Sequence, residues 1–345
     1  MGRGKLADSG ISILILTFKR PRLLARSIRA ALQNAIRPLE IIVSDDAMSG
    51  ESRAAIASIK LPDGVTLRHL EGPAISSQAA NARAAFEAAS HEWVILMHDD
   101  DYLLEGAVDH LVATQQQVGD DVDAVYGRQH IVNLRGEVDW EKTRANNLKY
   151  CKDEPNGIQP TRLWCALVGQ FPNNGMLLRR SIALQAVYPT ETEVGHIPVD
   201  FHFAIRYANQ ASGKFALTSK YTSACTTEGA SILRHAPLAW KYDGHLGYEV
   251  LQKVAPQTEA ERVALATAAD RFAAAGVMGY LSDRQPGRAW KVFRKHWRRM
   301  DKPWATRLAL GATVILQRLW FFRVFSRKRH VKPESAATNM KIKSN

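Results

Sequence analysis

Cysteine is scarce. Cys151, Cys165 and Cys225 are an odd number in 345 residues, and none forms a Cys-x-x-Cys pair. They supply neither a disulfide framework nor a zinc-binding pattern, and they suit a reducing compartment. Long apolar runs are missing too. Ile11 to Leu16 is too short for a signal-peptide core. Leu308 to Leu316 is also short, and Arg318 and Arg323 interrupt the run through Phe325, which disfavours a membrane span. No G-x-G-x-x-G follows the first apolar run, and no G-x-x-x-x-G-K-S/T occurs anywhere. Dinucleotide and P-loop chemistry lose their main support, because Thr17-Phe-Lys-Arg20 stands where their glycines belong.

Acidic residues are missing from one end. From Arg284 to Asn345, 17 Lys and Arg face only Asp301 and Glu334; the preceding residues hold 29 basic and 32 acidic residues. The net charge of +12 therefore belongs to the C-terminal segment, on a nearly neutral body. A uniformly basic chain would suggest nucleic acid, whereas a basic end suggests an address or an anchor.

The body alternates two patterns. Ile11 to Thr17, Leu39 to Ser44, Val65 to Leu70 and Trp93 to Met97 read as strands. Between them, Pro21 opens a helix with an apolar stripe through Leu24 and Ile28, Ser49 caps a second through about Lys60, and an alanine-rich helix runs from Ser77 to Ser90. This predicts an α/β fold with a mostly parallel sheet flanked by helices. Farther on, Ala124 to Tyr126 and Gln129 to Leu134 read as two strands, Asn146 to Gln159 as a loop, Val199 to Ala208 as a helix and Ala255 to Leu281 as another.

Ligands of such sheets bind outside the carboxyl ends of the strands. Two strands end there in acid: Asp45-Asp46 and Asp99-Asp100-Asp101. Adjacent carboxylates repel, and a cation that gathers them relieves the repulsion. Oxygen ligands favour Mg2+ or Mn2+, which share their shell with substrate phosphates. A solvated helix cap is the plainer reading of either cluster.

Together these residues resemble the family 2 glycosyltransferases, which have the Rossmann-like GT-A fold. Ile13 to Arg20 is similar to the family's first strand and its Thr-Tyr-Asn-Arg ending. Val43 to Ser49 resembles its Val-Val-Asp-Asp-Gly-Ser segment, and Met97 to Leu103 its D-x-D metal motif. The resemblance implies that Thr17, Phe18, Arg20, Asp45, Asp46, Asn81, Arg83 and Asp99 bind a nucleotide-sugar. It implies Mn2+ or Mg2+ on Asp99, Asp100 and Asp101. His98 stands where the first acid of the motif is common, so the choice among these three stays open. Pro198 to Arg206 resembles the segment that carries the catalytic base, which makes Asp200 the base; Pro172 to Gly175 resembles the acceptor side. The activity implied is inverting transfer of a sugar, from UDP by default, to an acceptor hydroxyl of a surface polysaccharide or glycolipid.

The expected organisation is a catalytic domain over 1–240, with a nucleotide-sugar half at about 11–110 and an acceptor half at about 111–240. A helical extension covers 241–283, and a basic amphipathic tail covers 284–345. As a helix, Arg288 to Met300 places Trp290, Phe293, Trp297 and Met300 on one side and six cations on the other, which suits an anionic membrane surface. The expected location is the cytoplasm, peripheral on the inner face of the cell membrane, with no nucleic-acid partner. The alternatives are a nucleotidyltransferase of related layout and a non-catalytic protein whose basic tail grips nucleic acid or membrane.

Overall fold

The computed structural model describes residues 10–47, 50–72, 78–172, 174–187, 199–227 and 244–329, apart from the side chains of 199, 200, 244 and 320–329. Met48, Ser49, Ser77, Asn173, Pro198 and residues 330–345, which figure in the sequence reading, lie outside the described residues.

The four early strands form as expected: β1 (Ile11–Thr17), β2 (Leu39–Asp45), β3 (Val65–Glu71) and β4 (Trp93–His98). They are parallel, in the order β3-β2-β1-β4. Every residue of β1 and β2 is buried. Their unbroken apolar runs reflect this, since a parallel sheet is covered on both faces. Ile11, Ile13 and Ile15 face Leu24 and Ile28 of α1 (Pro21–Ala31) and Leu111 of α4 (Ala107–Val118). Leu14 and Leu16 face the opposite core, which includes Phe86 of α3 (Gln78–Ala88). The remaining early helix is α2 (Gly50–Ala57).

The sheet continues beyond β4 through β5 (Tyr102–Leu103), β6 (Val122–Val132), β7 (Gly157–Ile158), β8 (Met176–Arg179) and β9 (Lys214–Thr226). The spatial order is β4-β8-β6-β9-β5, with β7 also on β9. β8 is antiparallel to β4 and β6, while the long β6–β9 ladder is parallel.

Two expectations change here, and one strand is added. The two strands expected at 124–134 are one strand, β6, whose register shifts at Gly127 and Arg128 instead of turning. Gly127 is required there: a Cβ would lie 2.6 Å from the Lys220 carbonyl oxygen. The expected loop from Asn146 begins inside a helix, α5 (Trp140–Lys149), which Asp139 caps by accepting from the Lys142 amide at 2.9 Å. And β9, which lies between β6 on one side and β5 and β7 on the other, is a strand the sequence reading did not name, because polar residues interrupt its apolar pattern.

The helices α6 (Arg162–Val168), α7 (Arg180–Ala186), α8 (Val199–Gln210), α9 (Gly244–Gln252), α10 (Glu259–Ser282), α11 (Pro286–His296) and α12 (Trp304–Arg329) follow. The segment beyond Arg284 is set apart by charge but not by packing. Ala289, Val292, Met300, Leu310 and Val314 are buried in the same core as Phe86 and Phe203, and Trp290 and Phe293 pack against it. Gly311 lets the two last helices approach, since a Cβ would lie 2.7 Å from the Phe293 ring. So most of the aromatic face expected to meet a membrane meets the protein, with Trp297 left exposed. A second apolar set, on α12, is open to solvent: Trp304, Leu308, Ile315, Leu316 and Leu319. Among the described residues no helix is long and apolar enough to cross a membrane.

Because α11 and α12 complete this core, Leu310→Ala should cost about 2 kcal/mol or more in chemical denaturation, the lower range for a buried leucine. A chain ending at Ser282 should lose its cooperative thermal transition by circular dichroism. An unchanged transition in that shortened chain would show that the terminal helices are a separable appendage.

Candidate active site

The carboxyl ends of β1, β2 and β4 meet at one edge. Thr17 is in register with Asp45, and Leu16 with His98. The Asp99 amide continues the ladder by donating to the Leu16 carbonyl at 3.0 Å, and the Asp46 amide donates to the Thr17 carbonyl at 3.1 Å. The sequence therefore delivers both acidic clusters to the same rim because each directly follows a strand adjoining β1.

Charge at this rim is balanced by protein groups. Thr17 Oγ1 donates to Asp99 Oδ2 at 2.6 Å. Arg20 straddles two acids: Nη2 lies 2.5 Å from Asp99 Oδ1, Nε donates to Asp99 Oδ2 at 3.2 Å, and Nη1 lies 2.7 Å from Asp100 Oδ2. Asp101 is held from the other side. Asn174 Nδ2 donates to its Oδ2 at 2.5 Å, and the Thr226 amide to its Oδ1 at 2.9 Å. Arg26 Nη2 donates to the Asp100 carbonyl at 2.5 Å and to Thr226 Oγ1 at 3.1 Å.

Asp99 and Asp101 are buried, while 20% of the Asp100 side chain is exposed. Burial pushes the Asp99 carboxyl up to about 6, against the pull of Arg20 and Thr17. Burial, with the Asp100 charge beside it, pushes Asp101 up to about 7, against the Thr226 amide. Asp100 is thus the carboxylate of the three that solvent, or a ligand, can reach. Among the described residues no three His, Cys, Asp or Glu side chains converge as a metal cage. Guanidinium, hydroxyl and amide groups of the protein hold Asp99 and Asp101, the two buried members of the motif. The donor set still fits one hard cation, because Mg2+ and Mn2+ commonly take one or two carboxylates and complete their shell with water and substrate phosphate.

The other expected residues divide. Asp45 Oδ1 accepts from the Ala47 amide at 2.9 Å and fixes the turn. Its Oδ2 is buried without a hydrogen bond, 3.6 Å from His69 Nε2. Asp46 is buried on the same rim. Phe18 is half-buried beside Lys19, whose ammonium lies 5.1 Å from its ring centre. Asn81 ties α3 to β2, with Nδ2 donating to the Ser44 carbonyl at 3.1 Å. Arg83 pairs with Glu87 one turn on, at 2.8 Å. Asn81 is thus held beside the residue that precedes Asp45, while Arg83 has a local partner on its own helix. His98 Nε2 lies 3.0 Å from Gln78 Nε2. Asp200 falls on the first turn of α8, and its side chain lies outside the described residues.

Sequence reasoning missed a second layer. Asn174 Oδ1 accepts from the His98 amide at 2.7 Å, so one side chain holds both ends of the acidic motif. Behind it, Gln129 Nε2 donates to Ser223 Oγ at 3.2 Å, and Lys152 Nζ donates to Gln129 Oε1 at 2.5 Å. Lys152 is fully buried, and burial pulls its ammonium down to about 7. Asn174 stood in the segment assigned to the acceptor side. For a buried lysine in a polar stretch there was no sequence signal.

Residues 12–183 match the model of Glycosyl transferase family 2. The chain is a family 2 glycosyltransferase. This assignment displaces the nucleotidyltransferase and non-catalytic alternatives. The family 2 chain is similar to the GalNAc(5)-diNAcBac-PP-undecaprenol beta-1,3-glucosyltransferase of Campylobacter jejuni, at 30% identity over 102 residues, 30% of this chain. The match spans about a third of that relative's length, 33%. Its fold is similar to that of S. aureus TarS 1-349. In complex with UDP-GlcNAc the TM-score is 0.61 at 13% identity, covering 93% of each chain. In complex with UDP the TM-score is 0.62 at 13% identity, covering 97% of this chain and 96% of that one. At such identity the likeness shows the GT-A fold alone.

The buried lysine gives a pH prediction for this glycosyltransferase. Its folded value lies below the ordinary lysine range, so between about pH 7 and 10 the unfolded chain binds the extra proton. Lys152 should therefore add stability as pH rises through that window. Measured by urea denaturation, the native chain should gain stability relative to Lys152→Met from pH 7 to 10. A constant difference would mean that Lys152 keeps its proton when folded.

Proposed function

We propose that this glycosyltransferase moves a sugar from a nucleotide-sugar, by default a UDP-sugar, to an acceptor hydroxyl with inversion, in the synthesis of a surface polysaccharide or glycolipid. The observation that carries the reading is the rim where Thr17 and Arg20 fix Asp99 and leave Asp100 partly open to solvent. The UDP-GlcNAc and UDP complexes of TarS support a UDP donor. The lipid-linked substrate in the Campylobacter relative's name supports a lipid-linked acceptor.

In this reading Asp45 or Asp46 holds the nucleobase and ribose; Asp45 Oδ2 has no hydrogen bond within the protein, and His69 Nε2 lies 3.6 Å away. Asp46, Thr17 and Phe18 border the same nucleotide. Asp100 holds Mn2+ or Mg2+, which when bound neutralises charge on the departing nucleoside diphosphate. Arg20 keeps Asp100 oriented, and Asn174 and Thr226 hold Asp101 so that the motif's backbone stays in place. Asp200, through the family resemblance, takes the proton of the acceptor hydroxyl as the new bond forms. The exposed apolar side of α12, with the basic residues of the terminal segment, rests on an anionic membrane at the cytoplasmic inner face.

Two outcomes are expected. UDP binding by calorimetry should strengthen when Mn2+ is added, and Asp100→Ala should remove that gain while Asp99→Asn changes mainly stability. Equal affinity with and without Mn2+ in the native chain would defeat the metal assignment. Asp200→Asn should keep UDP binding but lower sugar transfer by a factor on the order of 100 or more, the usual size of a general-base contribution. Near-native turnover would move the base to another carboxylate.

A further inference from the structure

A cavity of about 320 Å³ opens between α9, α10 and α11, on elements that contribute nothing to the acidic rim. Its size is at the small end of small-ligand sites. The floor is apolar, built from Leu251, Val254 and Leu265. Arg262, Lys295 and Arg299 stand around it. One acid, Asp270, lies among them, and it is already matched: Oδ1 is 2.6 Å from His296 Nδ1 and Oδ2 is 3.4 Å from Arg299 Nε. His296 is held in turn by Tyr248, whose hydroxyl lies 2.9 Å from Nε2. Arg262 also reaches Glu259, at 2.7 Å on the outer surface. With Arg299 on Asp270 and Arg262 on Glu259, Lys295 supplies the net positive charge over the apolar base.

Its surroundings say more. Trp297 follows α11 directly and is exposed, and α12, packed against α11, exposes Trp304, Leu308 and Leu316. Cations above an apolar floor match a ligand with an anionic head and a hydrocarbon stem, and neighbouring exposed tryptophan and leucine match the interface where such molecules lie.

We propose that this cavity is a binding site for the phosphate head of an anionic lipid, with the first carbons of its chain on the Leu251–Leu265 floor. It would seat the terminal helices on a particular lipid, where surface charge alone would only attract them to any anionic bilayer. The inference deepens the proposed membrane association and is tested separately from it.

The full chain is titrated by calorimetry with dihexanoyl phosphatidic acid, below its micelle concentration, and with inorganic phosphate. The short-chain lipid should bind and inorganic phosphate should bind much more weakly. Lys295→Gln should weaken lipid binding about fivefold, the factor expected for one cation near an anionic group. Ala266→Trp, which fills the floor from an exposed helical position without changing charge, should weaken it at least as much. Lys291→Gln, on α11 but outside the cavity lining, should leave it unchanged. UDP binding reports that each variant is folded. Equal affinity for inorganic phosphate would overturn the lipid assignment, as would equal loss in Lys291→Gln and Lys295→Gln. Sedimentation with phosphatidic acid vesicles then separates the readings. Vesicle binding without short-chain lipid binding overturns the cavity and spares the membrane association. Short-chain binding without vesicle binding upholds the cavity and removes the membrane association.

Discussion

One arginine ties together two acids of the rim. Arg20 leaves the end of β1, places two nitrogens on Asp99 and a third on Asp100, and so joins the first strand's loop to the fourth strand's motif. Three successive aspartates, two of them buried, repel one another at a strand end, and Arg20 relieves part of that repulsion. A buried carboxylate that loses its counter-charge is among the costlier defects in a fold. Everything else at the rim is arranged around this pairing. Thr17 completes the Asp99 side, and Asn174 and Thr226 complete the Asp101 side. Asp100, between them, is left oriented and reachable.

The pairing also explains why the second half of the sheet matters to the first. Asn174 sits just before β8 and Thr226 ends β9, so the motif after β4 is fixed by strands that arrive 73 and 125 residues later in the chain. Gln129 on β6 and the buried Lys152 stand behind them. A change in that polar layer would be felt at the rim without touching a ligand.

How much of this was legible follows from the physics of each signal. β1, β2 and β4 were plain because parallel strands buried on both faces become unbroken apolar runs, and their acidic ends followed from chain order. β9 and α5 were not, since a strand with mixed surroundings and a helix held by Asp139 and by Asn147 on the backbone of Gln129 carry little apolar periodicity. The continuity of β6 was hidden by a register shift that only the partner strand reveals. Asn81 and Arg83 fit the family pattern by position, yet Ser44 and Glu87 are nearer partners. The terminal segment was read by charge. Charge located its exposed side but not Ala289, Met300 and Val314, whose burial depends on the surface that α10 offers them.

The most direct test of this account is a double-mutant cycle between Arg20 and Asp99, read by urea denaturation at pH 8 without added metal. Arg20→Met should destabilise the chain by leaving Asp99 charged and buried. Adding Asp99→Asn should restore part of that loss, with a coupling of about 1 kcal/mol or more, as expected for residues in one ion-pair network. Additive losses, with no rescue by Asp99→Asn, would mean that Arg20 does not tie the acids of the rim together.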